Sequence, residues 1–156
     1  MVALRRLAVA DSGDVVRLYE TLSDDEYYYR FFTAHPAHLQ TLALSLTEAS
    51  DAQYALGAFG SGKLLGVGNY IEIATPGRAE VAVVVAHSAH LRGVGTALLR
   101  RLCEIAKQDG LHHLVAEVLA ENHPMQWVLT DSGWPCTRHL DGAVLHVDID
   151  LDTVTK

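Results

Sequence analysis

Glu80-Val81-Ala82-Val83-Val84-Val85-Ala86-His87-Ser88-Ala89-His90-Leu91-Arg92-Gly93-Val94-Gly95-Thr96-Ala97-Leu98-Leu99 changes its period part-way along. Up to Ala86 it is nearly continuous apolar and β-branched, the pattern of a strand covered on both faces. From Gly93 the apolar residues Val94, Ala97, Leu98, Leu102, Ile105 and Ala106 fall on one face of a helix, which Gly110 ends. A buried strand therefore feeds a long amphipathic helix through a turn that carries Gly93 and Gly95. The first N–H groups of such a helix have no partner within it and sit at the positive end of its dipole. A phosphate can be cradled there, with Arg92 adding fixed charge. The alternative is that the two glycines only let helix and sheet pack closely. The turn is neither a dinucleotide fingerprint, which needs a further glycine, nor a P-loop, which needs Gly-Lys-Ser/Thr.

Outward from this stretch, residues 2–9 suit a first strand, and Asp11 with Asp14 starts a helix through Tyr19. Ser23 and Glu26 form a capping-box pattern opening a helix through 27–32, and Pro36 suits the first turn of a third helix reaching Leu46. Residues 53–59 and 64–73 read as strands joined by a hairpin at Gly60-Ser61-Gly62-Lys63. A strand at 114–119, a helix at 123–132 and two strands at 134–139 and 143–151 follow, the last two joined at Asp141-Gly142 in a type I′ turn. The fold class is α/β of the mixed α+β kind. Residues 1–156 show no repeat, linker or low-complexity tract and read as one domain.

Composition limits the function. The chain has 12 Lys and Arg against 19 Asp and Glu, a formal charge of −7, and its basic residues are scattered, so nucleic acid is not expected as a partner. No apolar run approaches a membrane span and the N-terminus lacks a signal-peptide core, so a cytoplasmic protein without membrane contact is expected. Nine histidines include the pairs His35/His38, His87/His90 and His112/His113, but none has a third-ligand motif, and no metal is expected. Cys103 and Cys136 read as ordinary thiols.

The run His90-Leu91-Arg92-Gly93-Val94-Gly95 resembles the pyrophosphate turn Gln/Arg-x-x-Gly-x-Gly/Ala of the GNAT superfamily of acyl-CoA-dependent N-acetyltransferases, except at His90. Ser23 to Phe32 with Arg30-Phe31-Phe32, Ala79-Glu80-Val81-Ala82, and Ala116-Glu117-Val118-Leu119-Ala120-Glu121-Asn122 followed by Met125 are similar to the catalytic domain of bacterial Pat-type protein lysine acetyltransferases. The resemblance implies the GNAT fold, a mixed, mostly antiparallel sheet flanked by helices and splayed between two strands. It implies acetyl-CoA as co-substrate, with pantetheine along Val83, Val84 and Val85, and pyrophosphate in the turn made by His90, Leu91, Arg92, Gly93, Val94, Gly95 and Thr96. Asn122 would stand near the acetyl end, and Glu80 would be the general base, with Glu117 as its rival.

The resemblance also implies a protein lysine as acceptor, with an acyl-CoA synthetase as a candidate partner. A small amine or antibiotic is the alternative acceptor, and a non-catalytic acyl-CoA-binding module the alternative to an enzyme. Many GNAT enzymes protonate the leaving thiolate with a tyrosine, and Leu129 stands at the matching position here. Pat-type enzymes often carry a regulatory domain; none is seen in these residues, so control in cis is not expected. A bulky residue at Gly93 or Gly95 is expected to cost cofactor affinity while the fold is retained. A plain reading of Glu80 is also open, in which it only pairs with a cation such as Arg78.

Overall fold

The apolar run that opens the reading forms strand β4 (Arg78–Val85), at the centre of a seven-stranded sheet. The computed structural model of the chain describes residues 2–31, 39–48, 50–86 and 93–152. Before β4 come β1 (Ala3–Arg6), helices α1 (Ser12–Glu20), α2 (Asp24–Phe31) and α3 (Leu39–Thr47), and strands β2 (Gln53–Gly60) and β3 (Lys63–Glu72). After it come α4 (Val94–Gln108), β5 (His113–Leu119), α5 (His123–Asp131), β6 (Cys136–Asp141) and β7 (Val144–Asp150). The strand order is β1-β2-β3-β4-β5-β7-β6, and every neighbouring pair is antiparallel except β4 and β5. A parallel pair needs a long crossover, and α4 supplies it.

Two apolar layers cover the sheet. Val15, Leu18 and Tyr19 of α1 and Ala43 and Leu46 of α3 pack on Ala55, Leu64, Val67 and Val84. On the other face Leu98, Leu99, Leu102, Cys103 and Ala106 of α4 and Leu129 of α5 pack on Leu56, Tyr70, Val81, Leu114, Ala116, Val147 and Ile149. Leu99 and Cys103 widen the buried stripe of α4 beyond the face read from the sequence. Gly66 and Gly68 of β3 let α4 approach: a Cβ on Gly68 would lie 2.7 Å from Leu102 Cδ1.

The caps follow from local chemistry. The Ser23 N–H donates to Glu26 Oε1 at 2.8 Å and the Glu26 N–H donates to Ser23 Oγ at 3.1 Å, so the capping box forms as read. Helix α4 ends in a Schellman motif. Gly110 takes φ +88°, its N–H donates to the Lys107 carbonyl at 3.1 Å, and the Leu111 N–H donates to the Ala106 carbonyl at 3.0 Å. Asp11 differs from expectation. Its carboxylate does not cap α1 but accepts both guanidinium N–H groups of Arg5 at 2.9 Å and the Ala8 N–H at 2.7 Å.

The last hairpin also differs. Asp141 pairs with Val144, so Gly142 and Ala143 form the turn, and only Gly142 has positive φ (+63°). A type I′ turn needs positive φ at both central residues, so this turn is of the II′ kind. The I′ pattern belongs to the earlier hairpin, where Ser61 and Gly62 take φ +52° and +75°. Pro36, expected in the first turn of α3, lies outside the described residues.

Candidate active site

Strands β4 and β5 run side by side for three residue pairs only: Arg78 with His113, Ala79 with Leu114, and Glu80 with Val115. The root of this seam is tied down. The Gly77 carbonyl accepts the N–H groups of His112 and His113 at 2.8 and 3.1 Å. Asp148 of β7 binds Arg78 at 2.9 Å and the ring of His113 at 2.8 Å. Beyond Glu80 the two strands part, and among the described residues no strand pairs with this edge of β4.

The register shows which backbone groups the parting leaves on the edge. The Ala86 N–H donates to the Leu65 carbonyl, and the Arg78 carbonyl accepts the Ile73 N–H, so even-numbered residues of β4 turn their polar groups toward β3. Strand geometry then turns those of Val81, Val83 and Val85 toward the gap. Val84 turns its backbone to β3, and its side chain is buried with α1 and α3. Of the three valines expected along pantetheine, Val83 and Val85 thus face the gap.

The gap widens into a cleft of about 1060 Å³ that passes through the sheet. Small-ligand sites typically span roughly 300–1,000 Å³, so this one suits a long ligand. On the α4 side it is lined by Gly93, Gly95 and Thr96, and by Asn122 to Met125, Trp127 and Val128 around α5. On the opposite side it is bordered by Glu26, Tyr29 and Arg30 of α2, Leu42 and Leu46 of α3, and Asn69, Ile71 and Glu80 of the sheet.

Gly93 is the N-cap of α4 in the left-handed region (φ 72°, ψ 16°), and it offers no side-chain cap. The first intrahelical bond of α4 is from the Ala97 N–H to the Gly93 carbonyl, at 3.0 Å. The N–H groups of Val94, Gly95 and Thr96 therefore have no acceptor within the helix, and the dipole's positive end opens on the cleft. A Cβ on Gly93 would meet nothing within 4 Å. These features fit a pyrophosphate. Gly95 is different, because a Cβ there would stand 2.9 Å from Val128 Cγ2 and 3.3 Å from Val85 Cγ2. The close-packing alternative holds at Gly95, and a bulky residue there would disturb the fold as well as the cleft. Val94 is buried in the core and offers the cleft only its backbone. His90, Leu91 and Arg92 lie outside the described residues.

Asn122 lines the cleft and caps α5, its Oδ1 accepting the Met125 N–H at 3.2 Å. Glu80 and Glu117 are both exposed and both line the cleft. Glu117 Oε2 lies 3.4 Å from His146 Nδ1. Among the described residues no cation pairs with Glu80, and Arg78, its expected bland partner, is engaged by Asp148. Tyr29 brings an aromatic ring to the α2 side of the cleft; desolvation first, then the charges of Glu121 and Asp25, push its hydroxyl pKa up. Tyr27, Tyr28 and Phe31 are described by backbone alone, and Phe32 lies outside the described residues. Leu129 is buried in the core and does not line the cleft.

Cys103 is fully buried and desolvation pushes its thiol up to about 12, which makes it inert. Among the described residues no three of His, Cys, Asp and Glu converge as a metal site, and none of the helices is long and apolar enough to cross a membrane. Of the cleft residues, Trp127 was not read from the sequence as part of a site. Its signal was an aromatic off the inward stripe of Met125, Val128 and Leu129 on α5.

The sequence profile of the acetyltransferase (GNAT) family matches residues 15–133. The chain belongs to the acetyltransferase (GNAT) family. Its fold is similar to the GNAT domain of S. lividans PAT, with 28% identity, 96% of this chain and 90% of that one covered, and a TM-score of 0.83. It is also similar to an acetyltransferase structure from Salmonella typhimurium that holds its cofactor acetyl-CoA (16% identity, 99% and 96% covered, TM-score 0.77). An aminoglycoside acetyltransferase in complex with coenzyme A shares the fold at 19% identity, with 96% and 93% covered and a TM-score of 0.69. The splay between two strands expected of a GNAT acetyltransferase is thus present, with Glu80 at its root.

Proposed function

We propose that this GNAT acetyltransferase binds acetyl-CoA in the cleft and transfers the acetyl group to an amine, with a protein lysine as its preferred acceptor and residues 1–156 acting as one catalytic domain. The observation that carries the reading is the parting of β4 from β5 directly after Glu80. It opens one passage from the helix N-terminus on the α4 side to carboxylates on the other. Acetyl-CoA supplies the acetyl thioester. The N–H groups at the start of α4 hold the pyrophosphate, with His90, Leu91 and Arg92 completing the turn. The edge of β4 at Val83 orients the pantetheine amides as a neighbouring strand would.

An amine of pKa about 10.4 is neutral in only roughly one molecule per thousand near pH 7.4. A base must therefore take its proton, and Glu80 does so through a relaying water. No side chain on α5 takes the acid's place at Leu129, and solvent supplies the proton to the departing thiolate, whose thiol is itself acidic. Support for lysine comes from the 28% identity with the S. lividans PAT domain over 96% of this chain. The carboxylates of Glu26, Glu80 and Glu117 at the cleft, on a chain of net charge −7, favour a cationic acceptor.

The test is acetyl transfer from labelled acetyl-CoA to a panel holding an acyl-CoA synthetase, other proteins, polyamines and aminoglycosides. Label on protein lysines is expected. Efficient turnover of a small amine with no labelled protein replaces lysine by the small-amine reading. Binding of CoA without transfer to anything replaces both by a non-catalytic module.

A further inference from the structure

Trp127 is 67% exposed, more than any other large apolar side chain among the described residues. It stands on α5, whose inner residues Met125, Val128 and Leu129 pack into the core. A lone exposed apolar residue is ordinary on a protein surface. This one lines the ligand cleft, and it lines it at a defined end. Its neighbour Val128 meets the first turn of α4, its Cγ2 lying 2.9 Å from where a Cβ on Gly95 would be. This contact brings α5 against the start of α4, and Trp127 lines the same cleft as Gly93, Gly95 and Thr96.

A nucleotide whose pyrophosphate rests on those N–H groups carries its base one ribose further on. Asp131, one turn beyond Trp127, also lines the cleft. Its carboxylate can accept a hydrogen bond from an exocyclic amine such as that of adenine. An exposed indole stacks on such a ring at little conformational cost. We propose that Trp127 is the platform for the adenine ring of coenzyme A, making α5 a determinant of nucleotide recognition. This inference rests on the reading of the cleft as an acetyl-CoA site.

The experiment compares CoA with 4′-phosphopantetheine, which lacks the 3′-phosphoadenosine and one phosphate of the pyrophosphate, by calorimetric titration of the full chain and its variants. Trp127→Ala is expected to bind CoA about five- to a hundredfold more weakly, the range of one base-on-aromatic stack, with phosphopantetheine affinity unchanged. Trp127→Phe keeps a ring and restores most of the loss. CoA should quench the tryptophan emission of the wild-type chain, and that quench should disappear in Trp127→Phe although Trp134 remains. Unchanged CoA affinity in Trp127→Ala overturns the inference and leaves the proposed function standing. So does an equal loss for CoA and phosphopantetheine, which would place the indole on the pantetheine arm or in the folding of α5. A wild-type chain that binds no CoA at all is a different result, and it removes the proposed function together with this inference.

Discussion

Glu80 and Glu117 stand on neighbouring strands, two residues apart in register, and line the same cleft. Glu117 has the ring of His146 within 3.4 Å, whereas Glu80 has no partner among the described residues. An unengaged carboxylate at the root of the splay is the better placed to accept a proton from an arriving amine. Glu80→Gln keeps the shape and removes the base, so turnover should fall by about a hundred- to ten-thousandfold. Acetyl-CoA affinity should hold, and activity should partly return at high pH, where free amine becomes abundant. Glu117→Gln should lose much less; steady-state kinetics on both variants check this, and the opposite order would exchange their roles. Asp11 makes a separate, structural prediction. The bond from Arg5, chiefly, holds its carboxyl below the ordinary value of 3.8 in the folded chain. A depressed folded value means that Asp11 stabilises fully above the unfolded value, and that this stability is lost as pH falls through the folded one. Asp11→Asn should therefore lower the melting temperature at neutral pH, and the gap from wild type should close as a thermal-unfolding series is taken below about pH 4.

Among the elements, α4 depends on what its neighbours leave out. Gly66 and Gly68 give β3 a bare face on which Leu98 and Leu102 lie, both fully buried. A methyl at Gly68 would sit 2.7 Å from Leu102 Cδ1, inside any normal contact. Overpacking of this kind typically costs about 1–3 kcal/mol. Gly68→Ala should then lower the melting temperature by roughly 2–4 °C per kcal/mol. An unchanged melting temperature would mean that α4 can lift without penalty. The strand-to-helix switch at residues 80–99 and the capping box at Ser23 were legible because period and local chemistry decide them. The glycines of β3 carried a signal as well, since glycine inside a strand marks close approach. The type of the last hairpin was misread because Asp-Gly is a propensity, while the pairing of Asp141 with Val144 is set by the whole strand. Val83 and Val84 could not be told apart without the register against β3, which fixes the edge each one faces. Asp11 stands at the start of α1 as read, but its carboxylate goes to Arg5, six residues away, a pairing that the local pattern does not show.

Taken whole, the molecule is two half-sheets, β1-β2-β3-β4 and β5-β7-β6, joined by three residue pairs at one end of a parting. Asp148 clasps that end by holding Arg78 and His113 together. These side chains are half-buried, and with a net worth of about 1 kcal/mol for a hydrogen bond the clasp is modest. Asp148→Ala should speed amide exchange at Glu80 and Val115 about fivefold, with little change across β1 and β2, as hydrogen-exchange mass spectrometry can show. In mechanical terms the backbone of the sheet is a pair of plates on a short hinge, with the core of α4 packed across both. A long ligand bonded to the edge of β4 and resting on α4 and α5 is a second brace across the parting. Stiffness at its lips is then supplied in part by the small molecule. Saturating acetyl-CoA should slow exchange on both lips of the parting together, and the melting temperature should rise with the logarithm of its concentration. A chain built this way reports occupancy of its cleft through the rigidity of the two lips.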